Sequence, residues 1–188
     1  MKNVIIIGPP RAGKSTLSNL LTNKYHYQII RGDTLRKAFH LVFPKLNISS
    51  TTAIHHELFK KFLYEFMNSN ITYARNNYPY VLESCDITVE DYQKYFQNDN
   101  TILCFLGLAE ITPEQLLSHI RYYDSPNDWS ANRTDNYMLE KCIEYISYSK
   151  KNKLFCQEHH LNYFETSVVN REITFNKILK QLEKDILN

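Results

Sequence analysis

Apolar and polar positions in this sequence follow two patterns that alternate along the chain. Short, nearly continuous apolar runs bounded by polar residues are typical of strands buried on both faces of a parallel sheet. Such runs occur at Val4–Ile7, Tyr27–Ile30, Tyr80–Ser84, Thr101–Leu106 and Asn162–Glu165. The longer stretches between them carry apolar residues every three or four positions, which predicts amphipathic helices. Strand and helix therefore alternate, which predicts an α/β fold: a three-layer sandwich with a five-stranded parallel sheet.

Several of the predicted helices have recognisable ends. Thr112-Pro113-Glu114-Gln115 has the form of a capping box with proline at the first helical position. Thr88 with Asp91 can cap a second helix, and Pro44 is expected to end a third. Helices are expected after about Gly13, over Ala38–Leu41, from about Thr51 to Met67, over Val89–Phe96, from Pro113 to about Arg121, from about Thr134 to Lys151 and over Phe175–Ile186.

One stretch carries specific chemistry. Gly8-Pro9-Pro10-Arg11-Ala12-Gly13-Lys14-Ser15 matches G-x-x-x-x-G-K-[ST], and it lies between a predicted strand and a predicted helix. The two glycines allow positive φ, so backbone N–H groups can surround a phosphate, and the helix start adds its own unpaired amides. We expect Lys14 to contact the β- and γ-phosphates of ATP and the Ser15 hydroxyl to ligate Mg²⁺. The predicted nucleotide-binding residues are Gly8, Pro9, Pro10, Arg11, Ala12, Gly13, Lys14, Ser15 and Thr16.

A second motif follows the second predicted strand. Gly32-Asp33-Thr34-Leu35-Arg36 resembles the G-D-x-L-R segment of adenylate kinases and related nucleoside monophosphate kinases. In that family the arginine contacts the phosphate of the acceptor nucleotide, so the resemblance implies this role for Arg36. The alternative is structural: Asp33 would cap a helix and Arg36 would be an exposed residue of its first turn.

Carboxylates near the ends of these strands are candidates for metal and proton chemistry. Glu83 ends the third predicted strand, where related nucleotide triphosphatases place an acid that holds Mg²⁺ through water or orients the nucleophile. Asp33 can serve instead as the base that accepts a proton from an acceptor hydroxyl. Asp86 is a further candidate beyond the strand, and a buried capping carboxylate is the structural alternative for Glu83.

The segment from Arg121 to Arg133 is polar and lies between two predicted helices. Its position resembles the lid of the same kinases, whose arginines close over the transferring phosphoryl group. This implies catalytic and substrate-binding roles for Arg121 and a substrate-binding role for Arg133, which can also be a surface cation. Trp129 either covers the site or anchors the loop, and we favour the anchor.

The resemblance covers the whole chain in element order, but two parts of the pattern differ. Glu83-Ser84-Cys85-Asp86-Ile87 stands where adenylate kinases have D-G-F-P-R, and the lid lacks their close set of arginines and paired aspartates. The resemblance is therefore to the wider family of small P-loop kinases, with the acceptor open. It implies one domain over 1–188, with an acceptor-binding helical part at about 33–70 and a lid at about 121–136.

The amino-acid composition limits the classes of binding partner that are expected. The formal net charge is only +2, so no broad basic surface for nucleic acid or anionic membrane is expected. Four widely spaced cysteines without a C-x-x-C pair suggest reduced thiols and a cytoplasmic protein. We also expect no secretory leader and no membrane span. The partner should be a small-molecule acceptor, and the protein a monomer or homodimer.

Two functions remain open at this point. The first is an ATP- and Mg²⁺-dependent phosphotransferase acting on a nucleoside monophosphate or a small anionic metabolite. The second is a nucleotide-binding ATPase or switch module that signals to a protein partner. The sequence lacks the N-K-x-D motif of guanine-specific switches and shows no obvious apolar partner surface. An RNA-modifying kinase is disfavoured by the balanced charge.

Overall fold

Five strands form one parallel sheet in the computed structural model, which describes residues 1–48, 53–73, 78–166 and 171–187. The strands are β1 (Asn3–Ile7), β2 (Gln28–Arg31), β3 (Tyr80–Ser84), β4 (Thr101–Gly107) and β5 (Tyr163–Glu165). Their order is β2-β3-β1-β4-β5, and every neighbouring pair is parallel. Ile7 is level with Ser84 and Phe105, so the carboxyl ends of the central strands meet at one edge of the sheet.

Seven α-helices connect and cover the described strands. They are α1 (Lys14–Tyr25), α2 (Gly32–Val42), α3 (Ala53–Tyr73), α4 (Val89–Asp91), α5 (Pro113–Tyr123), α6 (Asp135–Glu158) and α7 (Arg171–Leu187). A 3-10 turn over Pro44–Leu46 follows α2, and a π-helical turn over Tyr92–Phe96 continues α4.

The two faces of the sheet pack against separate helical layers. In β1, Val4 and Ile6 belong to an apolar cluster with side chains of α1, α5 and α7, whereas Ile5 and Ile7 belong to a cluster with α3 and α4. Successive residues of a strand point to opposite faces, so a strand without polar positions needs a helical layer on both sides. The predicted three-layer α/β sandwich with a five-stranded parallel sheet is confirmed.

The capping and spacing patterns of the sequence predicted some helix ends correctly and others incorrectly. The capping boxes at Thr88 and Thr112 are both present. The helix after Thr88, however, is α-helical for only three residues before the π-helical turn. Helix α6 continues past its predicted end at Lys151 as far as Glu158. The predicted start of α3 at Thr51 lies outside the described residues.

The Gly32–Arg36 motif forms the first turns of a helix, so this helix begins earlier than the Ala38–Leu41 stretch expected from the sequence. Helix α2 begins at Gly32 directly after β2, with Arg31 in an extended conformation at the N-cap. Gly32 is buried against β3, where a Cβ would lie 2.6 Å from Ser84 Oγ. The absent side chain therefore lets the first turn of α2 lie against the end of β3.

One further finding concerns membranes. Among the described residues, no helix combines the length and the apolar character that a membrane crossing requires.

The cysteines are free thiols, as predicted. Cys104, Cys142 and Cys156 are buried and Cys85 is half-buried. Burial raises the pKa of the Cys142 thiol to about 11 and that of Cys156 to about 12. These thiols keep their protons in the folded protein at pH values where the unfolded chain loses them.

The free energy of unfolding should therefore fall as pH rises above 9, the ordinary thiol pKa, because the unfolded state then binds fewer protons. Urea unfolding at pH 8, 9.5 and 10.5 measures this dependence. In the Cys142→Ala variant the fall should be shallower by up to about 1.4 kcal/mol per pH unit. An equal slope in both proteins would contradict the shift at Cys142.

Candidate active site

The segment Gly8–Ser15, which joins β1 to α1 and includes the first two residues of α1, is called the phosphate loop below. Gly8 has φ 141° and Gly13 has φ 91°. A Cβ on Gly8 would lie 2.1 Å from the Leu106 carbonyl oxygen, and one on Gly13 would lie 2.3 Å from Phe175 Cζ. Both positions therefore need glycine for conformation and for space.

The start of α1 faces the same loop. Gly13 occupies the N-cap position of α1, where it has no side chain to accept from the first-turn amides. Unpaired amides and the helix dipole favour an anion at this point. The loop thus brings the features described by its motif to one point, and phosphate binding there stays a prediction.

Lys14 folds over the phosphate loop. Its Nζ donates to the carbonyl oxygens of Gly8 and Pro9, each at 2.9 Å. Burial lowers the pKa of Lys14, while the nearby Cys85 and the carboxylates of Asp33, Glu83 and Asp86 act in the opposite direction. The lysine therefore lies in electrostatic range of all three candidate carboxylates.

Glu83 is buried at the end of β3 and lies beside the loop. It accepts hydrogen bonds from Ser15 Oγ at 3.2 Å and Ser18 Oγ at 3.0 Å, and Arg31 Nε lies 3.0 Å from its Oε1. The structure brings together Ser15 and Glu83, the two residues predicted to hold a metal. Sequence analysis missed Ser18 and Arg31, which reach Glu83 only because α1 and β2 flank β3.

The groups at this point suit Mg²⁺. A hydroxyl and a carboxylate oxygen are hard donors of the kind that Mg²⁺ takes together with phosphate oxygens and water. Ser15 is exposed and Glu83 is held by three neighbours, so the pair combines access with a fixed carboxylate.

A cluster of Asp33, Arg36, Cys85 and Asp86 lies at the carboxyl end of β3. Arg36 Nε donates to Asp86 Oδ2 at 2.9 Å, and the Cys85 thiol donates to Asp33 Oδ1 at 3.1 Å. One ligand atom each from Asp33, Cys85 and Asp86 lies within 4.8 Å of the others. The predicted residues Asp33 and Arg36 are thus neighbours at the carboxyl end of β3.

Cys85 had not been predicted as part of this cluster. Burial, reinforced by Asp33 and Asp86, raises the pKa of its thiol to about 12. The thiol is therefore protonated at neutral pH and acts as a donor toward Asp33. Its position one residue after β3 was the signal in the sequence that could have identified it.

The residues between α5 and α6, 124–134, are called the lid segment below. Arg121, in the last turn of α5, donates to Asp135 and to the backbone carbonyls of Ser130, at 2.8 Å, and Arg133, at 2.6 Å. Asp135 raises the pKa of Arg121. In this structure Arg121 ties the two ends of the lid segment together, and a role toward a phosphoryl group stays a prediction.

The other two predicted lid residues are exposed. The Arg133 guanidinium lies over the Tyr137 ring at 5.5 Å, and the Trp129 side chain keeps 47% of its surface accessible. Both roles assigned from the sequence, substrate binding for Arg133 and loop anchoring for Trp129, stay predictions.

The phosphate loop also contacts the lid segment directly, which the sequence did not indicate. Arg11 donates to Asp124 and to Ser130 Oγ. Arg11 has φ 69°, a left-handed conformation that costs a residue with a Cβ about 1 kcal/mol. Pro9, Pro10, Ala12 and Thr16 complete the predicted nucleotide-binding set along the loop and the start of α1.

A small cavity of about 30 Å³ opens beside Arg11. His119, Tyr123 and Thr166 are among the residues that line it. Arg171 also lines it, with its guanidinium 5.7 Å from the centre of the Tyr123 ring and its Nη2 donating to the Arg11 carbonyl at 2.8 Å. An aromatic ring and a guanidinium plane therefore stand next to the phosphate loop.

No protein family model and no curated protein matches the chain. Solved structures do match. A gluconokinase from Sinorhizobium meliloti 1021 has a TM-score of 0.63 at 12% identity, over 97% of this chain and 92% of that one. A shikimate kinase from Bacteroides thetaiotaomicron has a TM-score of 0.61 at 18% identity, over 97% and 98%.

A third structure agrees with these two. A shikimate kinase from Acinetobacter baumannii in complex with shikimate has a TM-score of 0.62 at 14% identity, over 100% of this chain and 96% of that one. The likeness extends over nearly the full length of all the chains, which confirms the predicted architecture. This protein therefore shares the fold of these gluconokinase and shikimate kinase structures.

Proposed function

We propose that this protein is an ATP- and Mg²⁺-dependent phosphotransferase that moves the γ-phosphoryl group of ATP to a small acceptor, either a nucleoside monophosphate or a small anionic metabolite. One observation carries the proposal. Ser15 Oγ of the phosphate loop donates to Glu83 at 3.2 Å, and the carboxylates of Glu83, Asp33 and Asp86 all lie near enough to the neighbouring Lys14 to act on its pKa. A donor phosphate bound beside Ser15 and Glu83 and an acceptor group bound beside Asp33 and Asp86 would meet at Lys14.

The nucleotide side rests on the phosphate loop. The amides of the loop and of the first turn of α1 would bind the phosphates, with Lys14 adding a positive charge. Ser15 and Glu83 would hold Mg²⁺, which neutralises charge on the β- and γ-phosphates. The ring of Tyr123 and the guanidinium of Arg171 would flank the nucleoside.

The acceptor side rests on Asp33 and Arg36. Asp33 would accept the proton of an attacking hydroxyl, and the hydrogen bond from Cys85 would fix one of its oxygens. Arg36 would bind an anionic group of the acceptor while its Nε stays paired with Asp86. The helical part at about 33–70 would thus bind the acceptor, within a single domain over 1–188.

The lid at about 121–136 would complete the site. Arg121 and Arg133 would approach the transferring phosphoryl group if the segment moves toward Lys14. The solved neighbours support a small acceptor, since they are named for gluconate and shikimate. We further propose a cytoplasmic protein, monomeric or homodimeric, without nucleic acid or membrane as a partner.

One observation favours the switch alternative. The end of α2 and the 3-10 turn expose large apolar side chains, although the sequence showed no obvious apolar partner surface. They are Leu41 (69% exposed), Val42 (66%), Phe43 (51%) and Leu46 (48%). A protein partner could cover such a patch. Nucleotide-dependent capture of a protein, with ATP hydrolysis that no small acceptor stimulates, would establish this function instead.

ADP formation from Mg-ATP should depend on one acceptor within a panel of nucleoside monophosphates and small phosphorylated or carboxylated metabolites. Lys14→Ala should reduce this turnover at least about 100-fold, because it removes a cation placed on the transferring phosphates. Lys24→Ala is the matched control, since Lys24 is a surface lysine paired with Glu183. Absence of acceptor-dependent turnover across the panel would contradict the proposal.

Substitutions of the two acceptor-side residues, Asp33 and Arg36, should change different steady-state parameters. Asp33→Asn should lower kcat by roughly 10²- to 10⁴-fold with little change in the acceptor KM, as expected for loss of a general base. Arg36→Gln should raise the acceptor KM by about tenfold or more and leave the KM for ATP unchanged. If the Asp33 variant changes only the acceptor KM, Asp33 is a binding residue and not the base.

Glu83→Gln keeps the volume of the side chain but removes its charge. The Mg²⁺ concentration that gives half-maximal activity should rise about tenfold, because an amide is a weaker ligand for Mg²⁺ and for its waters. A Mg²⁺ titration at saturating ATP measures the change. The exposed Glu144, paired with Lys141, provides the control Glu144→Gln. An unchanged Mg²⁺ requirement would assign Glu83 a structural role only.

A further inference from the structure

Arg11 connects two parts of the candidate site that are far apart in the chain. Its Nη2 donates to Asp124, to Ser130 Oγ at 2.5 Å, and lies 3.4 Å from Asp128 Oδ2. Arg11 belongs to the phosphate loop, and its three partners belong to the lid segment. The side chain therefore spans the boundary between the nucleotide site and the lid.

The two lid residues that accept from Arg11, Asp124 and Ser130, lie in the protein interior. The side chain of Asp124 is only 7% exposed, and Ser130 is fully buried. Ser130 Oγ donates to Asp124 Oδ1 at 2.6 Å, so the acceptor of the arginine is itself held in place. Hydrogen bonds between charged groups away from water are stronger than those of exposed ion pairs.

The same carboxylate has a second arginine partner. Arg121 Nη1 lies 3.4 Å from Asp124 Oδ2, on the side of the carboxylate that Arg11 does not use. Asp124 is thus shared by one arginine of the phosphate loop and one of helix α5. Any movement of Arg11 alters the electrostatic environment of Arg121 through this carboxylate.

The backbone of Arg11 is constrained as well. Its φ of 69° is unfavourable for a residue with a side chain, and its carbonyl accepts from Arg171 Nη2 at 2.8 Å. Its Nε is buried without a hydrogen-bond partner among the described residues. The contacts of Nη2 offset these costs, so the side chain has a specific place on the lid segment.

We propose that Arg11 is a positioning residue that latches the lid segment to the phosphate loop, so that phosphate bound in the loop and the position of the lid are coupled through Asp124. The latch follows from contacts that do not depend on the reaction. Its coupling to nucleotide rests on the proposed function.

Arg11→Gly tests the latch directly, because glycine adopts the observed φ without strain and removes only the side-chain contacts. The readout is hydrogen exchange at the amides of Asp128, Ala131 and Arg133, which donate within the lid segment. Without nucleotide, their exchange should be about tenfold faster in Arg11→Gly than in the wild-type protein. Asp124→Asn, which leaves Arg11 in place, should accelerate the same amides.

His26→Gly is the matched control. His26 is an exposed residue with φ 60° at the end of α1, so this substitution also relieves a left-handed residue but touches no lid contact. Its lid amides should exchange as in the wild type. If the lid amides exchange at the same rate in Arg11→Gly as in His26→Gly, the latch is refuted.

Coupling to nucleotide has its own readout. Trp129 is the single tryptophan of the chain and lies in the lid segment, so its fluorescence reports the lid. Mg-ATP should change this emission in the wild type. In Asp124→Asn, whose substitution lies outside the predicted nucleotide-binding residues, calorimetry should still detect Mg-ATP binding, while the emission change should be lost. An emission change of equal size in both proteins would refute the coupling.

The two proposals fail in different ways. If amide exchange is faster in Arg11→Gly but the wild-type protein does not bind Mg-ATP, the latch proposal stands and the kinase proposal is refuted. If turnover depends on an acceptor but amide exchange in Arg11→Gly equals that of the wild type, the kinase proposal stands and the latch proposal is refuted.

Discussion

The close approach of the phosphate loop to β4 and α7 is the constraint on which the site depends. Gly8 lies against the carbonyl of Leu106, and Gly13 lies under the ring of Phe175. Because neither position has room for a Cβ, the loop stays on the carboxyl edge of the sheet with its backbone turned around one point. The start of α1, the end of β3 and the start of α2 then reach that point from their fixed places in the fold.

Charge at this edge is balanced pair by pair. Arg31 lies against Glu83, Arg36 against Asp86, and Arg11 against Asp124. Three cations are therefore already neutralised by carboxylates of neighbouring elements, and each pair fixes one element against another. The three carboxylates are nearly buried, so these charge-assisted contacts fix the geometry of the site by holding neighbouring elements together.

Sequence reasoning located the fold and the phosphate loop because both depend on local patterns. The loop motif spans eight consecutive residues, and each apolar run is only four to six residues long. Spacing along the sequence was therefore enough to locate Gly8, Gly13 and Lys14. The contact of Arg11 with Asp124 joins positions 113 residues apart, and no local pattern contains that information. The contact of Cys85 with Asp33 was missed for the same reason, because the two residues lie 52 positions apart in the sequence. The helical start at Gly32 depends on contact with Ser84, which is equally distant in sequence.

The lid segment shows how pairing limits what an arginine can do. Arg121 holds Asp135 and the carbonyls of Ser130 and Arg133, and Arg11 holds Asp124. To reach a phosphoryl group, Arg121 would have to give up several hydrogen bonds, and a guanidinium already bound to carboxylates gains less from a new anion than a solvated one. The role proposed for Arg121 at the phosphoryl group therefore requires a movement of the lid segment that breaks these hydrogen bonds. The contacts of Asp124 with Arg11 and of Asp135 with Arg121 determine how firmly the segment is held.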